Sequence, residues 1–582
     1  MPGIPPTRKL TIIAKDPALR IGGADGPMAL TQVSIPAEKL AFGPTGYRIK
    51  VVDYNASERK LYKSEKRYQD GKGALIDPFA TGPGESLTDL AYQARLLGDP
   101  NFHAQNAYAI AMRTLGFFER ALGRRVAWSF GGHQLHIAPH AFEQANAFYS
   151  EQDRALMFGY FRDATGQPVF TALSHDIVAH ETTHAILDGL RTRFTDPSGP
   201  DQGAFHEGFA DIVALLSIFS LEPVVAAAIG EDAAFWRDGT RIALVSTRKF
   251  SAARIRKSIL LGIAKQVGMA LEGGKRGALR SSVQMSPADA RTLRTSSDEH
   301  NRGEVLVAAM MNAFVEIWLD RISQLGKFQR QFYNLAAVVE EGAKVAGHLL
   351  NMAIRALDYC PPVDIDFSQY LAALLTADRE LVPDDDHGYR QRLRAVFADF
   401  GIGLPPCGCA EDGCWQNFAP VTPLEYARSN FGQLTRSKDE MFRFIWENRD
   451  ALKVNSRAYV EVLTIDPAAR VGPDGILLHE TICQYYQRVD IFGAEYTTLL
   501  GGERPEGLGT RDRFTAYGGG VLVFDQYGQV KYHIANPLDD APRQADRARY
   551  LIDTGQLGHD HGPSRMRFAL HHLARQQREE LP

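Results

Sequence analysis

Cysteine is scarce, with five in 582 residues. That is too few for a disulfide framework. Three of the five crowd into Cys407, Cys409 and Cys414, a spacing that matches no standard zinc site and reads as free or structural thiols. Long apolar runs are also missing. Ile212–Leu221 reaches about half of the ~20 residues a membrane-spanning helix needs, so it reads as a buried core helix. Neither sign of charge dominates. Lys and Arg total 65 against 69 Asp and Glu, a formal net of −4, so bulk electrostatics offers nucleic acid no attraction. The opening Met-Pro-Gly-Ile-Pro-Pro-Thr-Arg-Lys has no apolar run after its charges, unlike a secretory signal. Together with the few cysteines this sets a cytoplasmic expectation, with neither nucleic acid nor membrane as partner. No repeat or low-complexity tract stands out, and no feature of the sequence encodes an oligomeric state.

What is present is an ordinary folding composition, 45% hydrophobic and 23% charged. Residues 1–85 mix short β-branched runs (Leu10–Ile13, Tyr47–Val52) with Gly/Pro punctuation, which suggests a β-rich N-terminal region. Helical spacing then takes over at Phe102–Leu122, Asp176–Leu190, Phe205–Phe219, Arg254–Met269, Gly303–Arg321, Phe332–Ala356 and Tyr389–Phe400. Residues 403–429 shift to Cys, Pro and Gly and read as a linker. Residues 430–582 alternate strand candidates with turns and read as a further α+β domain of unassigned role. The histidines at 133, 136 and 140, and the pairs 559/561 and 571/572, read as structural or solvated. The fold class expected is α+β.

One constellation carries chemistry. His180-Glu181-Thr182-Thr183-His184 is H-E-x-x-H. On a helix, residues four apart share a face, so both imidazoles reach one ion with Glu181 beside them. Two surface histidines would give the same letters. Ile177, Val178, Ala185, Ile186, Leu187 and Leu190 make the helix apolar and therefore buried, and buried polar groups need partners. A catalytic zinc takes three protein ligands and a water. Position 190 is Leu rather than a third His, so the third ligand is sought downstream. Glu207 and Asp211 lie four apart on the next apolar helix. Glu207 suits the third ligand, and Asp211 suits the carboxylate that receives the ring N–H of a bound histidine.

Taken together, Asp176 to Asp188 followed by Glu207-x-x-x-Asp211 resembles the thermolysin-like gluzincin metallopeptidases. Four further segments match in order. Asn146-Ala147-Phe148-Tyr149 resembles the edge strand that binds substrate backbone. Leu279-Arg280-Ser281 resembles the segment whose arginine bonds a substrate carbonyl. His300-Asn301-Arg302-Gly303 resembles the segment whose histidine steadies the tetrahedral intermediate. Asp366–Ile402 resembles the C-terminal helices. The resemblance covers about residues 100–402. It implies a mixed N-terminal lobe (86–290) and a mainly helical C-terminal lobe (291–402).

The resemblance further implies one Zn²⁺ per chain on His180, His184 and Glu207, with Glu181 as general base and His300 and Arg280 stabilising the oxyanion. Asn146 and Ala147 align a peptide or protein substrate, and Ile177 and Leu279 wall an apolar pocket. No G-x-M-E-N segment precedes the motif, which favours internal cleavage. The sequence departs from the family in places. Phe194 or Thr195 stands where an oxyanion tyrosine is expected, and His206 where an Asn precedes the third ligand. Near His300 the acids are Asp298 and Glu299, closer than the usual orienting aspartate. A calcium-site carboxylate falls on Ile218, which argues against structural calcium although Asp176 is present. A second reading stays open: a peptidase fold that holds zinc and binds peptides or partners without cutting them.

Overall fold

The computed structural model describes residues 7–17, 26–64, 66–163, 166–260, 285–296, 299–472, 475 and 477–557. Its elements are a mixture of helices and sheets, an α+β arrangement. Strand β1 (Thr7–Ile13) pairs antiparallel with β2 (Leu30–Pro36). A five-stranded sheet follows. Its β3 (Ile49–Val51) runs parallel to β4 (Leu135–Phe142), so this sheet crosses residue 85. Strand β5 (Ala147–Ser150) pairs antiparallel with β6 (Ala155–Arg162) and forms an edge; β7 (Pro168–Phe170) also pairs with β6.

Helix α1 (Pro100–Leu122) begins two residues before the expected Phe102. Asp99 accepts from the Asn101 N–H, proline fills the first turn, and Gly123 ends the helix at φ 68°. Gly123 has a second task. A Cβ there would collide with the Ala469 carbonyl, and the Ala469 N–H donates to Gly123 O at 3.1 Å. The C-terminal block thus touches α1 at a point only glycine permits.

Helices α2 (His175–Leu190), α3 (Pro200–Phe219), α4 (Glu299–Ser323), α5 (Leu335–Ala356), α6 (Phe367–Arg379) and α7 (Tyr389–Asp399) build the rest of the main core. The apolar side chains of the run Ile212–Leu221, read as a core helix, are buried here. Among the described residues, no single helix is long and apolar enough to cross a membrane.

The C-terminal block is a four-stranded antiparallel sheet: β8 (Tyr459–Val471), β9 (Leu477–Phe492), β10 (Arg513–Phe524) and β11 (Val530–Asn536). Side chains alternate across a sheet, and both faces are used. Ala468, Ile482, Val521, Val523, Tyr532 and Ile534 join the main core. Cys483, Tyr485, Leu522 and Phe524 face the other way onto Met441, Phe444 and Ile445 of α8 (Lys438–Glu447).

Charges are buried at the same seam. Arg124 grips Asp358 with two bonds of 2.7 Å. Arg470 pairs with both Asp358 and Glu480, and Tyr359 donates to Glu480 at 3.0 Å. Burial alone would raise the Asp358 pKa, but Arg124 and Arg470 outweigh it and hold it below the usual value. Within the stretch 403–429, Cys414 and Trp415 are buried. Trp415 donates its main-chain N–H to Thr376 and its indole N–H to the Tyr359 carbonyl.

Candidate functional site

Helix α2 carries the motif into the core and α3 meets it. The His180 and His184 ring nitrogens and a Glu207 carboxylate oxygen all lie within 4.8 Å of one another. Among the described residues this is the one such group of metal-ligand type; the cysteines at 407, 409 and 414 do not form one. Burial pushes the Cys409 and Cys414 thiols up to about 11 and about 12.

Hydrogen bonds orient each ring. His180 Nδ1 lies 2.7 Å from Asp211 Oδ1. A carboxylate only accepts, so Nδ1 carries a proton, and Nε2 is the nitrogen left to take a second proton or an ion. His184 Nδ1 lies 2.8 Å from His206 Nδ1. The two Nε2 atoms face each other at 2.8 Å, and Glu207 Oε2 is 3.6 Å and 3.8 Å from them. Lone pairs and carboxylates converging in a buried site call for a cation. Burial disfavours a charge on His180, yet Asp211, Glu207 and Glu181 raise its pKa well above the ordinary value. A proton there does part of what a divalent ion would do. The donor set, two imidazoles and a carboxylate with outer partners, fits zinc.

Glu181 is buried beside this group. Its Oε2 accepts the main-chain N–H of Tyr149 at 2.9 Å, so edge strand β5 holds the carboxylate. Tyr149 is held in turn, its hydroxyl donating to Asp188 at 3.1 Å and lying 3.0 Å from Ser129. Ala147 is buried on the same strand opposite Phe158. The buried Asn146 accepts the Gly159 N–H at its carbonyl, 2.8 Å away. Main-chain groups two residues apart point the same way along a strand. Those of Ala147 therefore face the open side, as those of Tyr149 face Glu181.

His300, the second residue of α4, places Nδ1 3.3 Å from Glu207 Oε2. Helices α3 and α4 approach this closely because glycines meet. A Cβ on Gly208 would lie 2.8 Å from the Gly303 carbonyl. Ile177 is half-buried in the first turn of α2 and packs on the main core. Arg280, Leu279 and Asp298 lie outside the described residues. Phe194 is a core residue, edge-on to Phe205 at 5.6 Å.

Near Asp176 the facing cation is Lys15. It is buried, lies 5.9 Å over the Phe219 ring, and partly offsets the upward push of burial on the Asp176 carboxyl.

Two contributors escape a reading by motif. His206 was visible only as an odd neighbour of Glu207, and its contact with His184 shows why a ring is there. The Tyr149 N–H leaves no trace in sequence, since any residue would supply it.

Residues 46–188 match the family model for the thermolysin metallopeptidase catalytic domain. A search of curated proteins returned no match. The matched stretch contains β5 and the whole of H-E-x-x-H and ends at Asp188, before Glu207 and His300. Over this segment the chain is similar to the thermolysin-like metallopeptidases.

Proposed function

We propose that the protein is a zinc-dependent endopeptidase acting on peptides or proteins. The observation that carries this reading is the convergence of His180, His184 and Glu207 beside a second carboxylate, Glu181, fixed by the edge strand. A zinc ion on those three ligands supplies Lewis acidity, polarising a carbonyl and lowering the pKa of a water.

The remaining steps belong to side chains. Asp211 and His206 hold the two imidazoles in the tautomer that leaves each Nε2 free to ligate. Glu181, with one oxygen tied to Tyr149, takes the proton of the attacking water and passes it to the leaving amine. His300 donates a hydrogen bond as the carbonyl oxygen gains charge. The outward main chain at Ala147 pairs with an extended substrate, as an edge strand can, and Asn146 keeps the aligning role the resemblance implies for it. Arg280, Leu279 and Ile177 keep the roles the resemblance implies for them, on a substrate carbonyl and in the pocket wall.

A mixed peptide library tests this, digested by wild type with and without chelator and by Glu181→Gln. The amide keeps the shape but cannot take a proton as a carboxylate does. Internal cleavage by the wild type is expected, lost in both other arms, with zinc retained by the variant. A zinc-loaded wild type that cuts nothing favours the binding-only reading, and undiminished cleavage by Glu181→Gln removes the base.

A further inference from the structure

We infer that Tyr550, from the C-terminal block, is a positioning residue for His300; the inference rests on the peptidase reading above. Tyr550 lies on α9 (Ala541–Asp553), is buried, and donates its hydroxyl to Glu299 Oε1 at 3.1 Å. Glu299 is the residue before His300 and the first of α4. Its carboxyl rests on Gly203, where a Cβ would collide with it. Gly203 sits one turn before Glu207 on α3. One phenol therefore ties down the residue that joins the start of α4 to the helix bearing the third ligand.

Location makes the tie matter. The first turn of a helix lacks intrahelical partners for its N–H groups and is the part most prone to fray. His300 is in that turn, and its imidazole must stay within reach of Glu207 Oε2, 3.3 Å away. Three residues after Glu299, Arg302 clamps the same turn by pairing with Asp201, while Arg294 bonds Asp201 at 2.7 Å. Glu299 is the second clamp. Burial, then Glu299, raise the Tyr550 pKa, so the phenol stays a donor.

Its own helix is not loose. Arg543 donates to the Asp364 carbonyl at 2.7 Å, Gln544 to the Tyr517 carbonyl at 2.7 Å, and Arg547 pairs with Asp364 at 3.4 Å. The anchor is thus fixed to the scaffold, and the C-terminal block forms part of the catalytic apparatus.

The competing explanation is a bond that merely docks α9. Tyr550→Phe in the full, zinc-loaded chain separates the two, because it removes one hydroxyl and keeps the buried ring. With an internally quenched peptide, kcat should fall about tenfold, the size seen for outer-shell partners, with KM and zinc content unchanged. In a His300→Ala background the same change should cost nothing further, since the histidine it positions is gone. An equal loss in both backgrounds, or no loss in either, overturns the inference.

A second readout needs no turnover. With ¹³C-labelled histidine, the His300 ring signal (identified by its loss in His300→Ala) should shift or broaden in Tyr550→Phe, while that of His533, which packs on Tyr485 and Phe418, stays put. An unmoved His300 signal overturns the inference even if the wild type proves unable to cut peptides, a result that would itself strike only the peptidase reading.

Discussion

At the scale of residues, the protein keeps histidines in opposite electrical states by choice of neighbour. His180 is driven toward charge by carboxylates. His533 is buried beside the Tyr485 hydroxyl, 2.8 Å away, and burial lowers its pKa to about 4; burial and His140 lower His103 to about 3. Both are neutral when folded, whereas the unfolded chain regains the ordinary 6.5. The unfolded state therefore binds more protons below pH 6.5, and stability falls as pH drops from there toward 4. Buried carboxyls such as Asp364 and Asp378, with raised pKa values, work the other way. The clean observable is a difference. His533→Gln should flatten the loss of Tm between pH 6.5 and 4 measured by circular dichroism, and an unchanged slope would contradict the assignment. The ligand residues were legible because helical spacing fixes their geometry: four residues make one face. His206 and Tyr149 were not, because their work depends on which atoms of neighbouring elements face them.

At the scale of elements, His300 reaches Glu207 because α3 and α4 cross on Gly208 and Gly303. Valine at 208 would press its side chain into the Gly303 carbonyl. Overpacking of this kind costs about 1–3 kcal/mol. Here it should also move His300 away from the site. Gly208→Val is expected to lower Tm and to reduce kcat more than KM at full zinc occupancy; kinetics indistinguishable from wild type would show that the crossing does not position the histidine. Helices α1 and α2 could be read from periodicity. The start of α5 could not. Periodicity alone extends it back to Phe332, but Phe332–Asn334 is a strand paired with the 240–246 strand, and the Asn334 side chain caps the helix at Leu335. Pairing with a distant strand overrides local pattern there.

At the scale of the whole molecule, the last block looked self-contained in sequence because its strands alternate and a Cys/Pro/Gly stretch precedes it. What binds it to the rest is written in scattered single residues. Arg124, Asp358, Arg470 and Glu480 share one buried network, and one face of its sheet lies in the main core. Removing one side of such a network leaves buried charge unpaired, at a cost of about 3–5 kcal/mol for each broken pair. A chain ending near Ile402 is therefore expected to aggregate, whereas a soluble, zinc-retaining product seen by gel filtration would show that the seam is dispensable. The central claim concerns the ion and the chemistry together. Metal-free protein titrated with zinc while cleavage of a quenched peptide is followed should gain activity linearly and stop gaining at one equivalent per chain. Cleavage that needs no zinc, or none at any ratio, would contradict the account.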